Sequence, residues 1–296
     1  MKPAPFAYLD PRSLPEALEV LARYGDEGKV LAGGQSLVPL LNMRLAQPEV
    51  LIDVNRVSGL QGIDFTAGNG RPGVAIGAMT RQRTVEGAGE VLARLPMLAD
   101  AIRWVGHPQI RNRGTIGGSI AHADPAAELP LLFRALDGVA SVQSQDGKRS
   151  IPAADFFVYA LTSALEPSEL LTEIWLPLPP PRTGQAFLEV ARRHGDFALV
   201  AVAVSLTLDV TGRVQDAVIA IGGAAPTPIR AERAEESLRG ELPGSELFRQ
   251  AGRLASGETE PTSDVHADAE YRREVAGTLT YRALRVASER VSGGKG

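Results

Sequence analysis

The sequence has 296 residues, a net charge of −4, 44% hydrophobic and 22% charged residues, and no cysteine. It exceeds a typical domain of roughly 100–200 residues, so two domains are expected. The absence of cysteine excludes disulfides, iron–sulfur clusters and thiolate zinc sites on this chain. The lack of a long apolar run predicts no membrane span, and the N-terminal residues predict no secretory signal and a cytoplasmic protein. The scattered histidines and the absence of a basic run predict no metal site and no nucleic-acid partner.

The N-terminal part of the chain, at about residues 1–57, is predicted to be a small α/β subdomain. Ser13, Pro15 and Glu16 form a helix-start pattern, and apolar residues at helical spacing follow it up to Gly25. A short apolar strand, a short helical segment and a β-branched strand come next, and this order favours a parallel pair of strands. These three segments are residues 29–32, 37–45 and 50–54.

A second subdomain, at about residues 58–177, is predicted to begin with a hairpin or loop at Gly68-Asn69-Gly70. Thr80 is predicted as the N-cap of a helix. Residues 106–114 show little apolar periodicity and are predicted as an irregular loop, which in a compact domain usually has a function or is mobile. The other elements predicted here are strands at residues 74–79, 139–142 and 170–176 and helices at residues 91–104 and 126–136.

The proline run at residues 177–181 predicts a linker, because consecutive prolines remove backbone donors and favour an extended path. Beyond it, two alternating strands precede three helices, an order that is typical of an α+β domain. These elements are predicted at residues 201–208, 214–221, 231–238, 245–255 and 269–290.

Two glycine-rich segments are the most informative motifs: Ala-Gly-Gly-Gln-Ser at residues 32–36 and Thr-Ile-Gly-Gly-Ser at residues 115–119. Paired glycines beside a hydroxyl residue let successive backbone N–H groups face a phosphate with no Cβ in the way. Together they could hold one pyrophosphate without a lysine, since the hydroxyls of Ser36, Thr115 and Ser119 would add further donors. Taken singly, each segment is more often a tight turn. Neither matches the common nucleotide-binding loops, and a dinucleotide bound outside a Rossmann fold is therefore one hypothesis to consider.

Together with Asp-Pro-Ala-Ala-Glu-Leu-Pro at residues 124–130 and Arg-Arg-His-Gly-Asp-Phe-Ala at residues 192–198, these segments resemble the medium, FAD-binding subunit of molybdenum hydroxylases. Carbon monoxide dehydrogenase and bacterial xanthine dehydrogenase-type enzymes are examples of this family, and the resemblance covers essentially the whole chain. It implies an α+β fold. A two-subdomain FAD-binding fold of the vanillyl-alcohol-oxidase/PCMH type would occupy residues 1–177, and a C-terminal α+β domain of the CO dehydrogenase flavoprotein type would occupy residues 182–290.

The resemblance also implies that this chain carries FAD and has two partners. They are a small subunit with two [2Fe–2S] clusters and a large molybdopterin subunit, arranged as a dimer of heterotrimers. Electrons would pass from molybdenum through the clusters to FAD and then to an external acceptor, a role that needs no catalytic side chain on this chain. Two alternatives stay open: a self-sufficient FAD-dependent oxidase or dehydrogenase on the same fold, and a flavin-free assembly module.

The resemblance assigns both glycine-rich segments to the pyrophosphate, Asp124 to a sugar or ribityl hydroxyl and Phe197 to the flavin ring. From the residues alone, Asp124 is equally well explained as the start of an Asp-Pro turn, and Phe197 as a core aromatic. His107 is not predicted to be catalytic. Arg111 and Arg113 either support the second segment, meet another subunit or stay solvated. The predicted cofactor-binding residues are Ala32, Gly33, Gly34, Gln35, Ser36, Leu37, Thr115, Ile116, Gly117, Gly118, Ser119, Asp124 and Phe197.

Overall fold

A small parallel sheet with a helix packed on it forms the start of the structure, a computed structural model that describes residues 2–68 and 70–293. Helix α1 begins at Ser13, whose hydroxyl accepts a hydrogen bond from the Glu16 N–H, and it ends at Gly25, as the sequence predicts. The strand order is β1-β3-β2, so the predicted parallel pair is confirmed and gains an edge strand. The elements are β1 (Ala7–Leu9), α1 (Leu14–Tyr24), β2 (Gly28–Leu31), α2 (Leu37–Asn42) and β3 (Val50–Asp53).

The second subdomain is built on an antiparallel sheet with strand order β4-β5-β10-β6-β7. Short helices cover one face of it, and residues such as Phe133 and Phe156 fill the core between them. Asn69, in the predicted turn, lies outside the described residues. The elements are β4 (Ile63–Gly68), β5 (Arg71–Gly77), α3 (Gln82–Glu86), α4 (Gly89–Arg94), α5 (Pro96–Ala101), α6 (Pro108–Arg113), α7 (Ile116–His122), α8 (Glu128–Ala135), β6 (Val139–Ser144), β7 (Gly147–Pro152), α9 (Ala153–Phe156), β8 (Phe157–Tyr159), β9 (Thr162–Ser163) and β10 (Leu170–Pro177).

Three local predictions in this subdomain are wrong. Most of the expected loop at residues 106–114 is helix α6, which Pro108 starts and the buried Arg111 anchors. The Thr80 hydroxyl does not cap a helix, because it bonds both the N–H and the carbonyl oxygen of Gly62 at 3.0 Å. The single helix expected over residues 91–104 is two helices, α4 and α5, since Pro96 begins a new one.

The C-terminal part of the chain has a four-stranded antiparallel sheet, in the order β11-β12-β13-β14. Helices α11 and α12 cover one of its faces, and the other face packs on the second subdomain through Phe187 and its neighbours. The elements are β11 (Thr183–Val190), β12 (Val200–Leu208), β13 (Val214–Gly222), β14 (Ile229–Arg230), α10 (Glu232–Glu236), α11 (Ser245–Ser256) and α12 (Ala269–Gly293). Within residues 2–68 and 70–293, no helix has both the length and the hydropathy that crossing a membrane requires.

Candidate cofactor site

A cleft of about 720 Å³ opens between the N-terminal sheet, the second subdomain and a loop of the C-terminal domain. Its volume falls within the ~300–1,000 Å³ that is typical of small-molecule and cofactor sites. Most of the lining residues fall within residues 21–46, 105–128, 161–169 and 195–197. Both glycine-rich segments contribute to the wall, so the fold brings the two predicted motifs to one site.

The first glycine-rich segment joins β2 to α2 and holds a run of backbone donors without partners. The N–H groups of residues 33–37 donate to no acceptor within the described part of the chain. Gly34 has a φ of 75°, a conformation that glycine adopts without strain. The Gln35 side-chain amide donates to the Gly33 carbonyl oxygen at 3.0 Å. Unpaired N–H groups at a helix start attract anions, so this segment fits a phosphate group.

The second segment differs from the expectation, because its backbone donors are already used. Thr115 is the N-cap of α7, and its hydroxyl accepts from the Gly118 N–H at 3.1 Å. The N–H groups of Ile116 and Gly117 donate to the carbonyl oxygens of Thr80 and Ala78, in the turn after β5. The Ser119 N–H donates to the Thr115 carbonyl oxygen. The cleft therefore receives hydroxyl groups rather than backbone N–H groups from this segment.

The two segments are in direct contact across the floor of the cleft. A Cβ added to Gly33 would lie 2.5 Å from the Arg113 carbonyl oxygen and 2.8 Å from the Gly114 Cα. A Cβ added to Gly118 would lie 3.3 Å from the Ala32 Cβ. Only residues without a side chain permit this approach at Gly33, so the paired glycines bring the two segments together.

A polar bridge between Asn55 and Arg81 joins the same two segments. The Asn55 Nδ2 donates to the Ala32 carbonyl oxygen at 2.7 Å, and the Asn55 Oδ1 accepts from the Arg81 Nη2 at 2.7 Å. The Arg81 Nη1 donates to the Arg113 carbonyl oxygen. No sequence motif indicates this bridge, because neither residue belongs to one and their pairing depends on the tertiary fold.

Three of the predicted site residues stand behind the wall of the cleft. Ile116 is buried in the core, and Gly117 packs on Ala78, whose Cβ would lie 2.5 Å from a Cβ added at Gly117. The Asp124 carboxylate accepts from the Ala126 N–H at 2.9 Å, the geometry of an Asp-Pro turn. Ile116 and Gly117 support the second segment and Asp124 fixes the turn before α8, and none of the three is among the residues that line the cleft.

Phe197 lines the cleft at its mouth, in the loop before β12. Its side chain is 57% exposed, so the alternative interpretation as a core aromatic is wrong. An exposed aromatic ring beside a cleft is suited to stack on a planar ring system. The remaining predicted residues, Ala32, Gly33, Gly34, Gln35, Ser36, Leu37, Thr115, Gly118 and Ser119, also line the cleft.

The charges around the cleft were not predicted from the sequence. Lys29, on β2, is the one lysine or arginine among the described lining residues. His122 also lines the cleft, and burial lowers its pKa, which favours the neutral imidazole. Burial raises the pKa of Glu128 to about 7. A lone lysine just before the first glycine-rich segment is the only sequence signal that could have found any of these three.

Arg111 and His107 make structural contacts next to the second segment. The Arg111 guanidinium bonds both Glu86 carboxylate oxygens at 3.0 Å and is buried, so the interpretation as a solvated surface residue is wrong for it. The His107 ring packs on Gly195, where an added Cβ would lie 2.5 Å from the ring Cε1. Arg113 is exposed, and it contributes its carbonyl oxygen rather than its charge.

A glycine-lined cleft between an α/β unit and an antiparallel subdomain, with unpaired donors suited to phosphate, defines a dinucleotide-binding protein. A family model described as the FAD binding domain in molybdopterin dehydrogenase matches residues 4–179. A second model, described as the CO dehydrogenase flavoprotein C-terminal domain, matches residues 185–287.

Relatives of known identity match over nearly the full length. The 6-hydroxypseudooxynicotine dehydrogenase complex subunit alpha of Paenarthrobacter nicotinovorans is 42% identical, over 98% of this chain and 97% of that one. The carbon monoxide dehydrogenase medium chain of Hydrogenophaga pseudoflava is 38% identical, over 97% and 98%. A chain of the solved quinoline 2-oxidoreductase of Pseudomonas putida superposes with a TM-score of 0.92 at 36% identity, over 98% and 99%.

The chain therefore belongs to the FAD-binding medium subunits of molybdenum hydroxylases of the carbon monoxide dehydrogenase type. The resemblance and the fold class predicted from the sequence are confirmed, as is the assignment to the oxidoreductases.

Proposed function

We propose that this chain binds one FAD in the cleft and transfers electrons from the [2Fe–2S] clusters of a small partner subunit to an external acceptor. The observation that carries the proposal is the run of unpaired N–H groups at residues 33–37, held against the second glycine-rich segment. A pyrophosphate needs this density of donors, because each phosphate has several oxygen atoms to satisfy. FAD, when bound, supplies the two-electron chemistry.

Different groups in the cleft bind different parts of this cofactor. Backbone N–H groups of residues 33–37 bind phosphate oxygens, and the hydroxyls of Ser36, Thr115 and Ser119 add donors from both sides. Lys29 offsets part of the phosphate charge. Phe197 covers the flavin ring at the mouth, where electrons enter or leave. Leu37 lines the cleft at the start of α2. Ile116 and Gly117 support the second segment from behind, and Asp124 fixes the turn that leads to α8.

The proposed assembly is a dimer of heterotrimers with a small iron–sulfur subunit and a large molybdopterin subunit. The cysteine-free sequence supports it, because the clusters need thiolate ligands that this chain lacks. The same absence of cysteine fits a reducing compartment, and we place the assembly in the cytoplasm. The relatives are named for quite different substrates, among them 6-hydroxypseudooxynicotine and carbon monoxide, which fits substrate selection by the molybdopterin subunit.

Metal analysis of the intact assembly tests this proposal. The tagged chain is purified from its native host, and its FAD, iron and molybdenum contents are measured together with the cysteine content of any accompanying chains. Iron in the amount of two [2Fe–2S] clusters for each FAD, with one molybdenum, supports the proposal. FAD without iron, together with turnover of an alcohol or amine by this chain alone, would instead support the self-sufficient oxidase or dehydrogenase. Folded chain without FAD would support the assembly module.

A further inference from the structure

Glu189 is a buried acid that the electron-transfer role leaves unexplained. It lies on β11, its side chain is 8% exposed, and neither carboxylate oxygen has a hydrogen-bond partner among the described residues. Gln185 and Phe187 share its face of the strand, and both contact α5 of the second subdomain: the Gln185 Oε1 accepts from the Met97 N–H at 3.4 Å, and the Phe187 ring lies in the core there. Glu189 therefore points into the boundary between the C-terminal sheet and the second subdomain.

Glu128 lies close to this buried acid and also lines the cofactor cleft. It is the first residue of α8, and its side chain is 4% exposed. The Leu199 N–H donates to the carbonyl oxygen of Val190, the neighbour of Glu189, at 2.8 Å, and this places the end of β11 beside the residues that contact the start of α8. The Ala198 N–H donates to the Ala126 carbonyl oxygen at 3.3 Å, so the start of α8 lies beside the loop that carries Phe197. Glu128 is therefore at the end of the cleft where we place the flavin ring.

The two carboxyl groups cannot both be ionised at low energetic cost. Burial raises the pKa of Glu189 to about 8, and the charge of Glu128 adds to this effect. Burial likewise raises the pKa of Glu128, with a smaller contribution from Asp124. On α5, Asp100 is already paired with Arg290 of α12 at 2.5 Å. Among the described residues no cation forms an ion pair with Glu128 or Glu189, so at neutral pH the pair holds a proton instead of two buried negative charges.

We propose that Glu128 and Glu189 form a proton-holding pair beside the cofactor cleft, which binds a proton from solvent when electrons enter a flavin bound there. The inference rests on the proposed function. A flavin bound in the cleft would take two electrons from the proposed iron–sulfur partner and one proton from solvent. A further proton adds to an ionised carboxylate of the pair, where an O–H bond forms and no other bond breaks. The proton offsets negative charge that would otherwise be buried next to the pair.

Proton uptake during reduction measures this coupling directly. The FAD-loaded chain is reduced at an electrode through a mediator at about pH 8, and a pH indicator reports the protons bound for each two electrons. Wild type is expected to bind up to one more proton than Glu189→Gln, because the amide is nearly isosteric with the protonated acid and cannot titrate. Glu173→Gln is the matched control, since burial also raises the pKa of Glu173 but its side chain lines a separate groove. This control is expected to match wild type.

An infrared titration measures the protonation of the two carboxyl groups without the cofactor. In the chain without FAD, the C=O band of a protonated carboxyl group should disappear between about pH 6 and pH 9 in wild type and be weaker throughout in Glu189→Gln. Bound FAD with equal proton uptake by wild type and Glu189→Gln would overturn the inference and leave the proposed function intact. A folded chain that binds no FAD even within its native assembly would overturn both.

Discussion

Gly33 lies directly against the Arg113 carbonyl oxygen, so closely that a Cβ at residue 33 would come within 2.5 Å of it. Arg81 donates to the same oxygen from the other side, and Asn55 links Arg81 to the Ala32 carbonyl oxygen. One backbone carbonyl therefore fixes the spacing between the two glycine-rich segments. A pyrophosphate bound by both segments, as we propose, would depend on that spacing.

Gly33→Ala is expected to weaken FAD binding at least tenfold and to destabilise the fold by about 1–3 kcal/mol, because the new methyl group must push rigid backbone aside. Equilibrium FAD titration and urea unfolding measure the two effects. Gly89→Ala is the control, since nothing lies within 4 Å of a Cβ added there. Equal FAD affinity for both variants would show that the contact between the segments does not set the site.

Arg81→Lys is expected to lower FAD affinity while the chain stays folded. A lysine ammonium cannot reproduce the forked geometry that reaches both Asn55 and the Arg113 carbonyl oxygen. The matched control is Arg83→Lys, because Arg83 makes an exposed ion pair with Glu86 and does not touch either segment. If Arg81→Lys bound FAD as tightly as Arg83→Lys does, the bridge would have no role in spacing the segments.

Thr115→Val is expected to cost about 1 kcal/mol of stability, the usual effect of losing an N-cap, and to weaken FAD binding through the loss of its hydroxyl. Thr115→Ser keeps the cap and the hydroxyl, so it should restore both properties. Thermal unfolding and FAD titration of the two variants provide the comparison. A Val variant with wild-type affinity would remove Thr115 from the proposed phosphate ligands.

Phe197→Ala is expected to leave the stability of the cofactor-free chain unchanged, because the side chain is mostly exposed and outside the core. The absorption spectrum and midpoint potential of bound FAD should change, because an aromatic ring over the flavin changes the polarity of the flavin's surroundings. Phe197→Tyr retains the ring and should behave as wild type. Spectra and potentials that are identical in all three proteins would place the flavin away from Phe197.

Stability should fall with rising pH through the titration of Glu189. Its pKa is raised from 4.5 to about 8 in the folded chain, so the folded state holds a proton that the unfolded state has released over this range. This loss of stability is absent below about pH 4.5, grows as the pH rises, and is complete above about pH 8. Glu189→Gln cannot titrate, and wild type should lose a few kcal/mol relative to it over this window. Urea unfolding at closely spaced pH values gives the difference, and parallel curves would show that Glu189 is ionised when folded.

Local signals in the sequence predicted much of the fold. The hydroxyl of Ser13, the proline after it and the apolar spacing up to Gly25 define α1 without help from the rest of the chain. The β-branched run at residues 50–54 likewise predicts β3. Strand β11 was missed for the opposite reason, because buried Gln185 and Glu189 interrupt its apolar pattern and are explained only by the subdomain packed on them.

The candidate site was also predictable where local signals mark it and unpredictable where the tertiary fold decides. The glycine pairs at residues 33–34 and 117–118 marked their segments, since only backbone without a Cβ allows such close approach. The roles within them were less predictable. Which N–H groups stay unpaired depends on Thr115 and on the carbonyl oxygens after β5, and the bridge through Asn55 and Arg81 spans parts of the chain that no local pattern connects.

The absorption spectrum of the purified chain after mixing with FAD and desalting tests the central claim most directly. We expect flavin bands at one FAD for each chain, with intact FAD released on denaturation, and weaker bands in Gly33→Ala than in Gly89→Ala. Flavin retained equally by both variants, or a folded chain that stays colourless even within its native assembly, would contradict this claim.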